Sequence, residues 1–166
     1  MQLTQPLNEV LGKHISHLCP FSLGQMNGEN HCAHFVSHML GYEFAETCKN
    51  LKFTDKKRSE RGATIRVNSL FNAASHTGQW DDKPLHLSSC LLYVTLSSNI
   101  TQAGHRIMMG TQRQKHIGIF IDGRVWHYSN LSDKITVDPL PDFVRKFTHA
   151  YRTAGSTVQF FYGDFL

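Results

Sequence analysis

The chain has 166 residues, a length that favours a single domain over residues 1–166. Hydrophobic residues make up 40% of it and charged residues 18%, a globular composition that excludes a disordered, collagen-like or coiled-coil protein. Its longest apolar run, Cys90 to Leu96, is too short to cross a bilayer, so we expect no transmembrane segment. The net charge of +4 favours an anionic partner without requiring one.

The first half of the chain is predicted to be mainly helical. From Asn30, small or apolar residues recur with the spacing of one helical face, at Cys32, Phe35, Val36, Met39 and Leu40. Asn30 can cap the start of this helix and Gly41 stands where its end would be. The basic stretch Lys49 to Arg66 is interpreted as a solvated loop. A second helix is predicted from about Thr64 to Ala74, before a turn-rich segment.

The second half is predicted to be mainly strand, which gives an α+β fold. CLLYVTL, residues 90–96, is typical of a central strand. Residues 97–115 form a polar connection that is either an extra hairpin or a mobile flap. HIGIFIDGRVWHYS, which follows, indicates a β-hairpin turning at Asp122 and Gly123. A short helix at DFVRKF and a last strand at TVQFFYG complete the prediction.

The predicted hairpin places two histidines side by side. With Asp122 and Gly123 as a two-residue loop, counting back along both strands puts Gly118 opposite His127. His116 and His127 then become diagonal neighbours on one face, whereas a three-residue loop would separate them. Gly118 has no side chain, so it leaves space beside both imidazoles for a substrate.

Cys32 lies in the first turn of its predicted helix, where a thiolate is favoured. A nucleophilic cysteine needs a base within hydrogen-bond reach, and that base needs an orienting group. His116 and His127 could fill these two roles if the helix packs beside the hairpin. Backbone N–H groups at the helix start could stabilise the oxyanion. The other three cysteines, Cys19, Cys48 and Cys90, form no CxxC pair and are interpreted as structural thiols.

Three blocks, ENHCAHFVSHMLG, CLLYVTL and HIGIFIDGRVWHYS, resemble the core of the NlpC/P60 superfamily of papain-like cysteine peptidases and amidases. The resemblance implies N-terminal helices packed on a central antiparallel sheet. It also implies that Cys32 is the nucleophile, His116 the base and His127 the orienting residue. The family usually has an acidic residue or Asn before the cysteine and a Ser or Gly soon after. Here His31 and Ala33 stand at those flanks.

The resemblance further implies hydrolysis of peptide-stem amides in bacterial peptidoglycan, without a metal or other cofactor. We expect His31, Gly118 and Asn130 to contact the substrate. A short basic chain without a classical signal peptide is similar to antibacterial effectors injected by type VI secretion systems. That similarity implies cytoplasmic synthesis, action in the target-cell periplasm, a monomer and a cognate immunity protein. A papain-like hydrolase or acyltransferase acting on a protein or lipid is the alternative.

Two hypotheses of another class remain. His34 and His38 lie one helical turn apart and His31 precedes them, so three imidazoles could bind one zinc ion. Against this, the motif lacks the Glu of a HExxH site, and no carboxylate or cysteine is placed to complete it. The basic stretch Lys49 to Arg66 could bind nucleic acid, but no recognised motif accompanies it, so we expect no nucleic-acid partner.

Overall fold

The computed structural model of the chain describes residues 1–49 and 61–166. They form two compact units, the first comprising Met1–Arg66 and Trp126–Val137, the second Val67–Val125 and Asp138–Leu166. The single domain expected from the length stays a prediction. Most of the basic stretch between residues 49 and 66 lies outside the described residues, so its solvated-loop interpretation also stays a prediction.

The described residues have an α+β fold, as predicted. Their α-helices are α1 (Leu7–Val10), α2 (Cys32–Leu40), α3 (Val67–Ala73) and α4 (Leu140–Ala150). Their strands are β1 (Thr77–Gln79), β2 (Ser89–Leu96), β3 (Ile100–Ala103), β4 (Arg106–Met109), β5 (Lys115–Ile121), β6 (Arg124–Ser129), β7 (Lys134–Pro139) and β8 (Val158–Gly163). Within this part of the chain, every helix is too short or too polar to cross a membrane.

The second unit is built around β2, the central strand predicted from CLLYVTL. Its strands lie in the order β1-β8-β2-β5, and β2 pairs antiparallel with both β5 and β8. One face of β2 packs with α4 through Phe143 and Phe147. On the other face, Phe71 of α3 packs edge-on against Tyr93. Because both faces are covered, the strand carries apolar residues without alternation.

The turn between β5 and β6 has the predicted length. Asp122 and Gly123 are the two residues between the strands, with φ angles of 45° and 81°. Two successive positive φ angles are the signature of a type I′ turn, which glycine adopts without steric cost. Phe120 and Val125, which the same counting from a two-residue loop places opposite each other, pack in one cluster. The position of His127 opposite Gly118 stays a prediction.

Residues 97–115 contain the extra hairpin rather than an unstructured flap. β3 pairs antiparallel with β4, with Ala103 opposite Arg106. The Asn72 side chain at the end of α3 donates to the Met109 carbonyl at 3.0 Å and accepts from the Met109 amide at 2.9 Å. Arg106 donates to the carbonyl oxygens of Asn72 and Ala74. These bonds fix the hairpin against α3.

The first unit contains α2, which begins and ends close to its predicted limits. Phe35, Val36 and Met39 are buried along one face. Gly41 ends the helix in the left-handed region at φ 70°, and the next amide, of Tyr42, bonds back to the Ser37 carbonyl. This is the glycine-terminated helix end that the sequence predicted. Elsewhere in this unit, β6 and β7 are neighbouring strands.

Candidate functional site

The start of α2 is held by two asparagine side chains. Oδ1 of Asn130 accepts the backbone N–H of His31 at 3.1 Å, and Oδ1 of Asn30 accepts that of Cys32 at 3.0 Å. Asn30 thus satisfies a first-turn amide that has no partner within the helix, as predicted, although His31 occupies the N-cap position itself. The Cys32 amide is one that could serve an oxyanion. A substrate oxygen would have to replace the Asn30 oxygen there.

The predicted catalytic residues are all buried. Cys32 and His127 belong to the first unit, whereas His116 belongs to the second. Cys32 is the first residue of α2, and His127 lies on β6. The meeting of all three side chains in one triad stays a prediction.

His116 has a defined aromatic environment in the second unit. It lies opposite Val94 in the pairing of β5 with β2. Its ring stacks on Phe147 of α4 with a centroid distance of 4.3 Å and contacts Phe143 at 6.0 Å. Stacking on a packed aromatic ring limits rotation of the imidazole. Gly118, two residues further along β5, lies opposite Leu92.

A row of three histidines runs along the first unit, beginning beside Cys32. His31 Nε2 lies 3.0 Å from the Met26 carbonyl oxygen, and His31 Nδ1 lies 3.1 Å from His34 Nδ1. His34 Nε2 in turn lies 3.1 Å from His38 Nε2. Because a carbonyl only accepts, His31 must carry its proton on Nε2 and accept at Nδ1 from His34. His34 is then left with an unprotonated Nε2 that points toward His38.

Burial supports neutral rings for His31 and His34. Desolvation lowers the pKa of His31, and it also lowers the pKa of His34, which is fully buried. The His31 ring additionally packs edge-on against Tyr128 at 5.4 Å. His31 and Asn130 therefore have structural contacts of their own, and their predicted part in substrate binding stays a prediction.

Two cysteines complete the row at its far end. One ligand atom from each of Cys19, His34, His38 and Cys48 lies within 4.8 Å of the other three. Cys19 and Cys48 are free thiols and fully buried. The hydrogen bond from Cys48 is the largest cause that holds the pKa of Cys19 far below its ordinary value. The bond to Cys19 raises the pKa of Cys48, because Cys48 keeps its proton and donates it.

Backbone packing fixes both thiols. A Cβ added at Gly24 would come within 2.4 Å of the Cys19 carbonyl oxygen, so only glycine fits there. A Cβ at Gly62 would meet the Cys48 sulfur at 3.0 Å. Cys48 also donates its amide to the Ala63 carbonyl at 2.9 Å. Gly24 thus packs closely against Cys19, and Gly62 and Ala63 pack closely against Cys48.

Cys19 and Cys48 were not predicted from the sequence as partners of the histidines. Fourteen residues separate Cys19 from His34, and nine separate His38 from Cys48. The signal was a HxxxH pair with one cysteine on each side. Cys90 differs from both, since it lies in the apolar cluster of the second unit, where burial raises its pKa to about 12.

No protein-family model matches the chain, and the same is true of curated proteins and of solved structures. The α+β class therefore rests on the helices and strands described above. The resemblance to the NlpC/P60 superfamily stays a prediction.

Proposed function

We propose that the chain is a papain-like cysteine hydrolase of the NlpC/P60 type that cleaves peptide-stem amides of bacterial peptidoglycan. The observation that carries the proposal is the position of Cys32, a buried cysteine that is the first residue of α2. The N-terminus of a helix favours a thiolate, the reactive form of cysteine. The anchoring of the same turn by Asn30 and Asn130 supports a nucleophile held in a fixed position.

The proposed reaction has two steps. The Cys32 sulfur attacks the amide carbonyl, and His116 takes the thiol proton and delivers it to the leaving amine. Water then attacks the thioester, with His116 taking its proton and returning one to the sulfur, which restores the free enzyme. His127 is the proposed orienting residue for His116. The two-residue turn of the hairpin supports this pairing, because that loop length was the condition for placing both histidines on one face.

The proposed setting is bacterial antagonism. The net charge of +4 suits the anionic cell wall. In this proposal the chain is a monomeric effector delivered by a specialised secretion system into a target-cell periplasm, and an immunity protein protects the producer. A protein or lipid substrate for the same nucleophile is the alternative that the assay distinguishes.

Digestion of purified peptidoglycan tests the proposal. We expect the full chain to release or shorten stem peptides, as measured by mass spectrometry of the soluble fragments, and Cys32→Ala to abolish this release. Cys90→Ala is the matched control, since it removes a buried thiol from the other unit and should retain activity. Turnover that persists in Cys32→Ala would refute the nucleophile. Fragments absent for the wild type would exclude the peptidoglycan substrate.

A second comparison distinguishes the roles of His116 and His127. His116→Ala should lower kcat by about 10²–10⁴-fold, the usual contribution of general acid–base catalysis. His127→Ala should lower it less, because an orienting residue acts through the base. Wild-type rates in both variants would contradict the proposed triad. Circular dichroism of each variant checks that a lost rate does not reflect a lost fold.

A further inference from the structure

We propose that Cys19, His34, His38 and Cys48 form a structural zinc site that fixes α2 within the first unit. The four residues come from three separate segments, yet their ligand atoms lie within 4.8 Å of one another. Cys₂His₂ is a standard ligand set for structural zinc, and paired thiolates and imidazoles select zinc over magnesium or calcium. Four protein ligands leave no open coordination position, which makes the site structural rather than catalytic.

The helix supplies half of the ligands in one rigid piece. His34 and His38 lie one turn apart on α2, and their Nε2 atoms approach to 3.1 Å. Tetrahedral ligands about 2.0–2.1 Å from one ion lie at about this separation from each other. Only one of two facing ring nitrogens can donate a hydrogen to the other. A metal ion between them would accept a lone pair from each nitrogen, so it satisfies both rings at once.

The row of histidines provides the outer support that zinc sites use. A zinc-bound histidine usually donates its other ring N–H to a fixed acceptor, which sets its tautomer. His34 has this arrangement, because its Nδ1–H is directed at His31 Nδ1 and His31 is anchored to the Met26 carbonyl. The tautomer assigned from these contacts leaves His34 Nε2 free to bind the metal.

The charges also balance. Two thiolates and two neutral imidazoles around Zn²⁺ give a net charge of zero, so the filled site carries little penalty for burial. Both sulfurs lie in fully buried positions. Zinc binds thiolates, so each cysteine that holds a proton releases it to solvent when its metal–sulfur bond forms.

A Cys19–Cys48 disulfide is the competing use of the two thiols. It would need an oxidant, and it would leave the facing Nε2 atoms of His34 and His38 with no common partner. The convergence of the imidazoles on the thiols favours the metal. The two arrangements differ in mass and in metal content, so both are directly measurable.

Metal analysis of the purified full chain tests the site. Protein prepared under reducing conditions without chelator should contain one zinc ion per chain, as measured by inductively coupled plasma mass spectrometry. The double variant Cys19→Ser/Cys48→Ser should contain none. Cys90→Ala and Cys32→Ala should each keep one zinc ion, because neither residue is a proposed ligand. Metal content is measured without a substrate, so this result does not depend on whether the chain is a hydrolase.

Cobalt substitution covers the case in which the cysteine variant does not fold. Wild-type protein reconstituted with Co²⁺ should show the intense visible bands of tetrahedral cobalt and a near-ultraviolet thiolate charge-transfer band. His38→Gln changes a partly exposed ligand. We expect this variant to weaken zinc binding by more than about 100-fold, which is more than the loss of a residue that only hydrogen-bonds to a ligand would cause. Competition with a chromophoric chelator measures the affinity. Reduced wild type that binds neither metal, unchanged zinc content in the double variant, or a Cys19–Cys48 disulfide in freshly purified protein would overturn the site.

Discussion

His31 has contacts in the structure that its place in the sequence did not predict. Its position next to Cys32 predicted a contact with substrate. In the structure its side chain is fully buried, with one ring nitrogen toward Met26 and the other toward His34. Its backbone amide is bound by Asn130. His31 therefore links the start of α2, where the proposed nucleophile lies, to the proposed metal ligands.

Replacing the acceptor on His31 should weaken the zinc site without removing a ligand. His31→Phe keeps a planar ring against Tyr128 but cannot accept the N–H of His34. We expect a loss of zinc affinity of about 10–100-fold, the usual effect of removing such an outer partner. Competition with a chromophoric chelator measures it.

His31→Gln provides the rescue, because its amide oxygen can accept the same N–H and should restore part of the affinity. His76→Phe is the matched control at an exposed histidine of the second unit, and it should bind zinc like the wild type. Equal affinities for His31→Phe and the wild type would show that His31 does not position His34.

At the scale of elements, the sequence predicted those with strong periodicity and clear ends. α2 has an apolar face and a terminal glycine, and β2 is a continuous apolar run, so both were found. β1 was missed because its three residues lie in a turn-rich segment and pair with β8, a partner distant in sequence. β7 was also missed, and α4 extends beyond the predicted DFVRKF. In these elements, tertiary pairing and packing outweighed local pattern.

The link between α3 and the β3–β4 hairpin is open to a stability test. Asn72→Ala removes both side-chain bonds to the Met109 backbone, which is buried. We expect a loss of about 1–3 kcal/mol in the free energy of unfolding, the cost of leaving buried backbone groups unpaired. Urea denaturation at constant m-value measures it.

Gln102→Ala is the control for that test, since its side chain donates to the Gly104 carbonyl in the exposed turn of the same hairpin. It should change the stability by no more than about 0.5 kcal/mol. An effect of equal size in both variants would mean that Asn72 does not anchor the hairpin.

At the scale of the whole molecule, the two candidate sites differ in how far the sequence predicted them. Cys32 was recognisable because a helix start is a local pattern. The cluster was not, because Cys19 and Cys48 reach the histidines of α2 only through the folding of the first unit. Spacing alone identifies metal ligands when they fall in short, regular motifs. Here Cys19 lies far before the histidine pair of α2 and Cys48 well after it. The proposed triad depends on tertiary placement in the same way.

Removing zinc should destabilise the protein unevenly. A ligand present at 100 times its Kd adds about 2.7 kcal/mol to the free energy of unfolding. For a chain of this length, chelation should then lower Tm by at least about 5–10 °C. Calorimetry with and without chelator measures the shift. Hydrogen exchange should accelerate in α2 and stay unchanged in β2, whereas equal acceleration in both elements would argue against a local role for the metal.

The backbone contacts around Cys48 also bear on how this chain can vary. Thr47 pairs with Thr64, the Ile65 amide bonds to the Glu46 carbonyl at 3.0 Å, and Cys48 bonds to Ala63. Residues 46–48 and 63–65 are therefore held together by paired backbone. A one-residue insertion or deletion within 46–48 or 63–65 would slip the register of this pairing and displace the Cys48 sulfur from the histidines of α2.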